Sequence, residues 1–205
     1  MSRSPRLPRA GAAGTVRAPR QVRIIGGSWR RTPILVADVA GLRPSPDRVR
    51  ETLFNWLAHL RPDAHALRGL DLFAGTGALG FELASRGAAR VVLVERQPAL
   101  LRQLRALQER LGAEQVEVVA GDALAVAAAL APASFDIVFL DPPFGAGLLW
   151  PAIEAARPLL AAGGIIYAES DALIAPIDAT ARGFELLRSA RAGRVCFHLL
   201  QPRVA

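Results

Sequence analysis

The stretch Asp71-Leu72-Phe73-Ala74-Gly75-Thr76-Gly77-Ala78-Leu79-Gly80 decides the fold of this chain. An apolar run ends on an acid and passes into a Gly-x-Gly-x-x-Gly turn, which opens a helical segment over residues 78–86. Glycines at this spacing permit a tight strand-to-helix turn and close approach of a ligand to the backbone at the helix N-terminus. Nicotinamide, flavin and S-adenosylmethionine folds all use such a loop, so the glycines alone do not select a ligand. Asp71 does more. It sits four residues before Gly75, at a strand end where a dinucleotide site keeps small apolar residues. A carboxylate there suits the cationic ammonium of S-adenosylmethionine and suits a pyrophosphate poorly.

On both sides of this loop the chain repeats strand, loop, helix. Strands are predicted at 70–73, 91–95, 116–119, 135–140 and 165–168, and helices at 78–86, 99–111, 123–130 and 150–160. Near-continuous apolar strands alternating with helices predict an α/β fold with a parallel sheet covered on both faces. The rhythm changes at the end, where alternating strands at 184–189 and 195–200 are joined by residues 190–194. That spacing predicts a hairpin, hence at least one antiparallel strand.

Acids recur at the strand ends. Glu95 closes the second strand, where a carboxylate accepts from ribose hydroxyls. Asp122 follows the third strand in Ala120-Gly121-Asp122-Ala123, placed to meet an adenine amino group. Each acid also has a plainer reading as a helix cap, Asp122 above all. Their recurrence at successive strand ends favours a ligand.

The fourth strand carries the most specific signal, Phe135-Asp136-Ile137-Val138-Phe139-Leu140-Asp141-Pro142-Pro143-Phe144. Its end is a D-P-P-F version of the [N/D]-P-P-[Y/F/W] motif of methyltransferases that modify exocyclic or amide nitrogens. The lone pair of such a nitrogen is delocalised. Two acceptors on its hydrogens, the Asp141 side chain and the Pro142 carbonyl, hold the nitrogen and favour a more tetrahedral geometry. The prolines (Pro142, Pro143) stiffen the loop and remove competing N–H groups. Phe144 offers a face on which an unstacked base can rest.

Upstream of the sheet, short strands at 22–25 and 32–36 predict a hairpin carrying Arg23, Arg30 and Arg31. A loop follows at 41–44, and Ser45-Pro46 reads as a helix start, with serine as N-cap and proline first in the helix. The helix 47–60 puts Val49, Leu53, Trp56, Leu57 and Leu60 on one face and Arg48 and Arg50 off it. Residues 1–20 read as a disordered basic tail of Pro, Gly, Ala, Ser and Arg. The expected organisation is therefore a tail (1–20), an N-terminal extension of hairpin and helix (21–61) and a catalytic domain (62–205).

The charge follows that division. All 25 basic residues are arginine, against 18 acids, giving +7. Residues 1–50 hold 11 arginines against Asp38 and Asp47 alone, while the rest of the chain is slightly acidic. Arginine in place of lysine fits a GC-rich coding bias, but the bias does not explain an excess at one end. A near-neutral body with a basic N-terminal arm points to a polyanion, nucleic acid first. One cysteine, Cys196, forms no internal disulfide, which fits a reducing, cytoplasmic setting. No apolar run approaches the roughly 20 residues of a spanning helix. The first residues lack the apolar core of a secretory signal. The sequence thus predicts no membrane association.

Together these residues resemble the RsmD-like family of bacterial 16S rRNA guanine-N2 methyltransferases. The resemblance runs from about Arg23 to Gln201. Besides the two loops it rests on Arg23-Ile24-Ile25-Gly26-Gly27-Ser28-Trp29-Arg30, on Leu42-Arg43-Pro44 and on Asp47-Arg48-Val49-Arg50-Glu51-Thr52-Leu53-Phe54-Asn55-Trp56-Leu57. The chain departs from the family pattern at Arg31, where glycine often follows Trp-Arg, and at Ser45-Pro46, where Thr-Thr is common. The resemblance implies a class I S-adenosylmethionine-dependent methyltransferase: a Rossmann-like seven-stranded sheet with an antiparallel C-terminal hairpin, plus the small N-terminal extension. It implies one guanine of small-subunit rRNA as acceptor, within the assembled or assembling 30S subunit; a monomer is expected. Asp141, Pro142, Pro143 and Phe144 are then the catalytic residues. Asp71, Phe73, Gly75, Gly77, Glu95 and Asp122 hold S-adenosylmethionine. Arg23, Trp29, Arg30, Arg31, Arg43, Arg48 and Arg50 face RNA, although Arg48 and Arg50 also read as a solvated or acid-paired helix face and Trp29 as cover for the core edge.

Other residues are read as structural. Cys196 reads as a buried inert thiol, against a cysteine adduct in catalysis. His59, His65 and His198 lack ligand spacing, so no metal site is expected. Glu169-Ser170-Asp171 is read as helix capping. The competing functions are transfer to adenine N6 or to a protein glutamine amide, a non-catalytic module that binds ribosome precursors, and a nicotinamide-dependent oxidoreductase.

Overall fold

The computed structural model describes residues 21–39, 42–62 and 66–203; the tail at 1–20, Gly41 and His65 lie outside them. Seven strands form the main sheet: β3 (Arg68–Asp71), β4 (Arg90–Glu95), β5 (Val116–Ala120), β6 (Phe135–Leu140), β7 (Leu160–Ser170), β8 (Phe184–Ala192) and β9 (Val195–Pro202). Their order is β5-β4-β3-β6-β7-β9-β8, and β1 (Gln21–Arg23) and β2 (Pro33–Leu35) make a separate antiparallel pair. Strands β3 to β7 are parallel, and β9 runs antiparallel between β7 and β8. A register shift between Leu186 and Arg188 marks a bulge in the outermost strand, β8.

The strands are apolar on both faces, so each strand feeds two cores. In β4, Val91 and Leu93 point into one core and Val92 and Val94 into the other. In β6, Ile137 and Phe139 part in the same way from Val138 and Leu140. The first face is covered by α1 (Asp47–Leu60), α2 (Ala78–Ser85) and α3 (Pro98–Leu111), the second by α4 (Ala123–Ala129), α5 (Leu149–Ala156) and α6 (Pro176–Ala181).

The extension shares the first core. Ile24, Ile34, Val49, Leu53, Phe54 and Leu57 are buried together with Phe81, Phe139 and Tyr167 of the sheet side, so packing runs straight across residue 61. Arg50 is fully buried, not off the core as its helical position predicts. Its guanidinium donates to Asp47 Oδ1 (2.6 Å), to the Arg23 carbonyl (2.9 Å) and to the Ser45 carbonyl (3.3 Å), and lies 3.5 Å from Glu82 Oε2. Glu82, also fully buried, accepts from the backbone N–H groups of Ile25 (2.6 Å) and Gly26 (2.8 Å) and from Arg86 (2.8 Å). A buried pair with this many donors is satisfied, and it fastens the hairpin segment and α1 to α2.

Other departures have local causes. Ser45 does not cap α1: Pro46 takes the cap position without a side-chain bond, and the Ser45 hydroxyl donates to Glu169 instead. The helix predicted at 150–160 ends at Ala156, passes through a short 3-10 turn (Arg157–Leu159) and enters β7 at Leu160. Pro158 has no N–H to donate to the carbonyl four residues back, so the helical ladder stops there. Helix α6, six residues long with Pro176 first, is too short to show a period. The β8–β9 turn is tighter than predicted, with Gly193 at φ 66°.

Candidate active site

The carboxyl ends of the parallel strands form one edge, where ligands of open α/β sheets bind. Asp71 is the last residue of β3 and 1% exposed. Its Oδ1 has no hydrogen-bond partner. Burial raises its pKa to about 7, against the pull of the backbone N–H groups of Phe73 and Gly80; the charges of Glu95 and Glu169 raise it further. An orphaned buried carboxylate oxygen is costly unless a ligand meets it, and an ammonium group is a suitable partner.

The glycines divide their work. A Cβ on Gly77, at φ 79°, would stand 2.6–2.8 Å from Leu104 and Phe81, and one on Gly80 would stand 2.1 Å from Leu93. Both allow α2 to pack closely, whereas a Cβ on Gly75, at φ 52°, would meet nothing nearer than Leu42 at 3.2 Å. Gly75 is therefore the glycine that leaves backbone open to a ligand. Its N–H donates to Glu95 Oε2 (2.9 Å), while Glu95 Oε1 accepts from Arg96 and Gln97 (both 2.8 Å). Glu95 Oε2, with one donor, keeps acceptor capacity for a hydroxyl. Asp122 caps α4 through Oδ1, bonded to Leu124 (3.1 Å) and Ala125 (3.3 Å), so its plainer reading holds; its other oxygen faces solvent 3.9 Å from Arg96. Phe73 is half-buried between the Gly loop and the second core.

The second loop leaves β6 beside this one. Pro142 is buried, and Phe144 is 41% exposed, a large apolar ring held at the surface. Asp141 is half-buried, and its pKa is pushed well above the carboxylate range by lost solvation, then by the charges of Glu169 and Asp71. Strand register explains this crowding. Asp71 pairs with Phe139, and Leu140 with Ala168, which sets Asp141 beside Glu169. Side chains two apart share a face, so Asp71, Asp141 and Glu169 converge above Phe139 and Tyr167.

Glu169 corrects the sequence reading. It is not a helix cap: it lies inside β7, 2% exposed, and no helix begins before Pro176. Its Oε1 accepts from Ser45 and from the Tyr167 hydroxyl (2.8 Å). Sequence reasoning missed it because Ser45 is 124 residues away. The only signal was a charged residue in an otherwise apolar strand.

The arginines separate. Arg50 is enclosed, which removes it from any RNA surface. Arg23 is exposed and paired to Asp47 at 3.2 Å. Arg43 is exposed in the segment over the Gly loop: Leu42 lies against Gly75, and Ser45 reaches Glu169. Arg48 is exposed with its guanidinium near Gly193 of the β8–β9 turn, where Arg194 and, at the end of β8, Arg191 are also exposed. That turn lies on the same edge, since Ser170 pairs with Cys196. Trp29, Arg30 and Arg31 sit elsewhere, tied to the far end of α2: Ser85 Oγ accepts from Trp29 N–H (2.9 Å) and donates to the Gly26 carbonyl (2.7 Å). An eight-residue helix separates them from the Gly loop by about 12 Å. Trp29 packs on the core, and Arg31 holds φ 70°, a left-handed conformation that fits the glycine of the family pattern.

Cys196 is buried, and His198 is spent on backbone: its Nε2 accepts from Ile174 N–H (3.0 Å) and its Nδ1 faces the Ala168 carbonyl (3.2 Å).

A seven-stranded sheet of this order, with an acid and Gly loop after one central strand and D-P-P-F after its neighbour, defines a class I methyltransferase. The family model described as "Conserved hypothetical protein 95" matches residues 22–201. The chain belongs to that family, the RsmD family. It is 42% identical to Ribosomal RNA small subunit methyltransferase D of Escherichia coli (strain K12) over 88% of this chain and 90% of that one. It is 38% identical to the protein of the same name from Haemophilus influenzae, over 91% and 97%. The solved structure of yhhF from Escherichia coli superposes with a TM-score of 0.76 at 40% identity, covering 90% of this chain and 99% of that one.

Proposed function

We infer that the chain transfers the methyl group of S-adenosylmethionine to the exocyclic N2 of one guanine in 16S rRNA. The observation that carries this reading is the pairing of half-buried Asp141 with exposed Phe144 beside the orphaned Asp71 oxygen. The names of the relatives support rRNA of the small subunit as the acceptor.

S-adenosylmethionine supplies a sulfonium methyl, an electrophile that needs no activation by the protein. Asp71 accepts the donor's ammonium, the backbone at Gly75 and Gly77 lines its path, and Glu95 accepts from its ribose. Asp122 offers its free oxygen to the adenine amino group, with Phe73 alongside. Asp141 and the Pro142 carbonyl accept hydrogen bonds from the two N2 hydrogens and so turn the nitrogen lone pair toward the methyl; the N–C bond would form as the sulfonium S–C bond breaks to leave the thioether, and one N2 proton would pass to solvent. Pro143 stiffens the loop, and Phe144 stacks on the guanine. Catalysis is then orientation and electrostatics, without a covalent enzyme intermediate. The exposed arginines at the site's edge, Arg23, Arg43 and Arg48 with Arg191 and Arg194 at the β8–β9 turn, contact phosphates. Arg30, Arg31 and Trp29 serve a more distant stretch of RNA. The setting is the assembled or assembling 30S subunit in the cytoplasm, with the enzyme monomeric. Among the described residues no helix is long and apolar enough to cross a membrane.

The test is methyl transfer to small subunits from a strain lacking the activity, followed by mapping of the modified base. Label at guanine N2 is expected; label at adenine or on protein alone overturns the reading. Asp141→Ala abolishes transfer and leaves S-adenosylmethionine affinity within about tenfold, since one neutral hydrogen bond is worth roughly 0.5–1.5 kcal/mol. Retained transfer in that variant removes Asp141 from the mechanism.

A further inference from the structure

Glu169 is a buried acid that the mechanism above does not use. It touches three parts of the site. From below, the Tyr167 hydroxyl donates to it; from the side, Ser45 donates to it from the segment that crosses the Gly loop; and strand register puts Asp141 next to it. We propose that Glu169 is a positioning residue for the methyl-transfer site, which orients and tunes the Asp141 carboxyl and, through Ser45, ties it to the segment carrying Arg43. The proposal rests on the methyl-transfer reading and deepens it.

Charge sets the direction of the effect. The groups facing Glu169 are Asp141 from β6, Asp71 from β3, Tyr167 from its own strand, Ser45 before α1 and Arg50 within α1. Burial raises the pKa of Glu169, while the Ser45 and Tyr167 hydroxyls and Arg50 pull it back toward the ionised form. Among the described residues Asp141 accepts no such bonds; lost solvation and the two facing carboxylates push its pKa up, which favours its protonated form. A protonated Asp141 presents its carbonyl oxygen to the amine as an asparagine amide would, which accounts for the interchange of Asp and Asn in the motif. The Ser45 bond has a second consequence. Phosphates that draw Arg43 into place pull on the same short segment, so seating of RNA and the aim of Asp141 are mechanically joined.

The experiment measures kcat against pH for the wild type, Glu169→Gln, Ser45→Ala, Ser45→Thr and Asp141→Asn, on whichever acceptor the wild type methylates. Removing the Glu169 charge lets Asp141 ionise more easily. The pH limb assigned to Asp141 therefore moves to lower pH in Glu169→Gln and vanishes in Asp141→Asn, which keeps measurable activity. Ser45→Ala lowers kcat about tenfold, as misaimed groups do, while S-adenosylmethionine affinity stays; Ser45→Thr, which keeps the hydroxyl, restores it. An unshifted limb in a folded Glu169→Gln protein overturns the proposal. If that variant does not fold, the serine pair decides: equal kcat for Ser45→Ala and wild type overturns it. A wild type that methylates no guanine refutes the functional reading instead, and the pH comparison still reports on Glu169.

Discussion

Asp71 shows how one side chain joins fold to chemistry. Its folded pKa of about 7 lies above the unfolded value of about 3.9. Between those values the folded chain holds the extra proton, so the ligand-free protein loses stability as pH rises through this window, with no further loss from this group above it. A bound ammonium favours the ionised form. S-adenosylmethionine affinity therefore increases from pH 6 to pH 8, with most of the gain near pH 7, and Asp71→Asn flattens the dependence; calorimetric titration at several pH values checks both. Asp71, Glu95 and Asp141 were legible in the sequence because each closes its own strand next to a recognisable turn. Glu169 was not, and Arg50 only in that pairing with an acid was one of its readings. Their meaning comes from partners on other elements, Ser45 and Glu82, and a buried arginine in a helix looks in sequence like any surface arginine.

Elements hold together through similar long-range bonds. Glu82 lies on α2, yet it satisfies the backbone of the segment after β1 and faces Arg50 of α1. Arg50→Met leaves the Glu82 charge enclosed with one cation fewer. Loss of one partner of a buried pair costs about 3–5 kcal/mol, visible as a lower denaturation midpoint in urea. Adding Glu82→Gln recovers part of that loss, because the two changes are coupled. Most strands and helices were readable because each carries its own period. The first half of β7 escaped because Gly163 and Gly164 interrupt its apolar run, and α6 escaped because one and a half turns show no period. The blocks around Gly26 and Gly27 carried the family likeness; their packing against α2 was invisible until the helix was in place. A Cβ on Gly27 would lie 1.8 Å from the Ser85 carbonyl oxygen, so part of that likeness is a demand of packing.

At the scale of the molecule, arginines from distant parts of the chain stand together at one edge of the sheet. The β8–β9 turn brings Arg191 and Arg194 to the side where Arg43 and Arg48 stand, a neighbourhood that topology creates and linear order hides. Replacing Arg43 and Arg48 by Gln weakens RNA binding and lowers the slope of log K against log salt by about 1.5, at roughly 0.7–0.9 per phosphate contact. Binding measured at four salt concentrations checks this, and an unchanged slope removes the two residues from the interface. The bulge in β8 also bears on how copies of this protein meet. An outermost strand is a template on which another chain can add a strand. Here the shift between Leu186 and Arg188 breaks the even row of donors and acceptors, and Glu185, Arg188 and Arg191 stud the same margin with charge. The far margin, β5, carries Glu117 bridged to Arg90. Both borders of the sheet thus resist lateral growth, and a chain crowded beside its own copies during synthesis is guarded against stacking into fibrils.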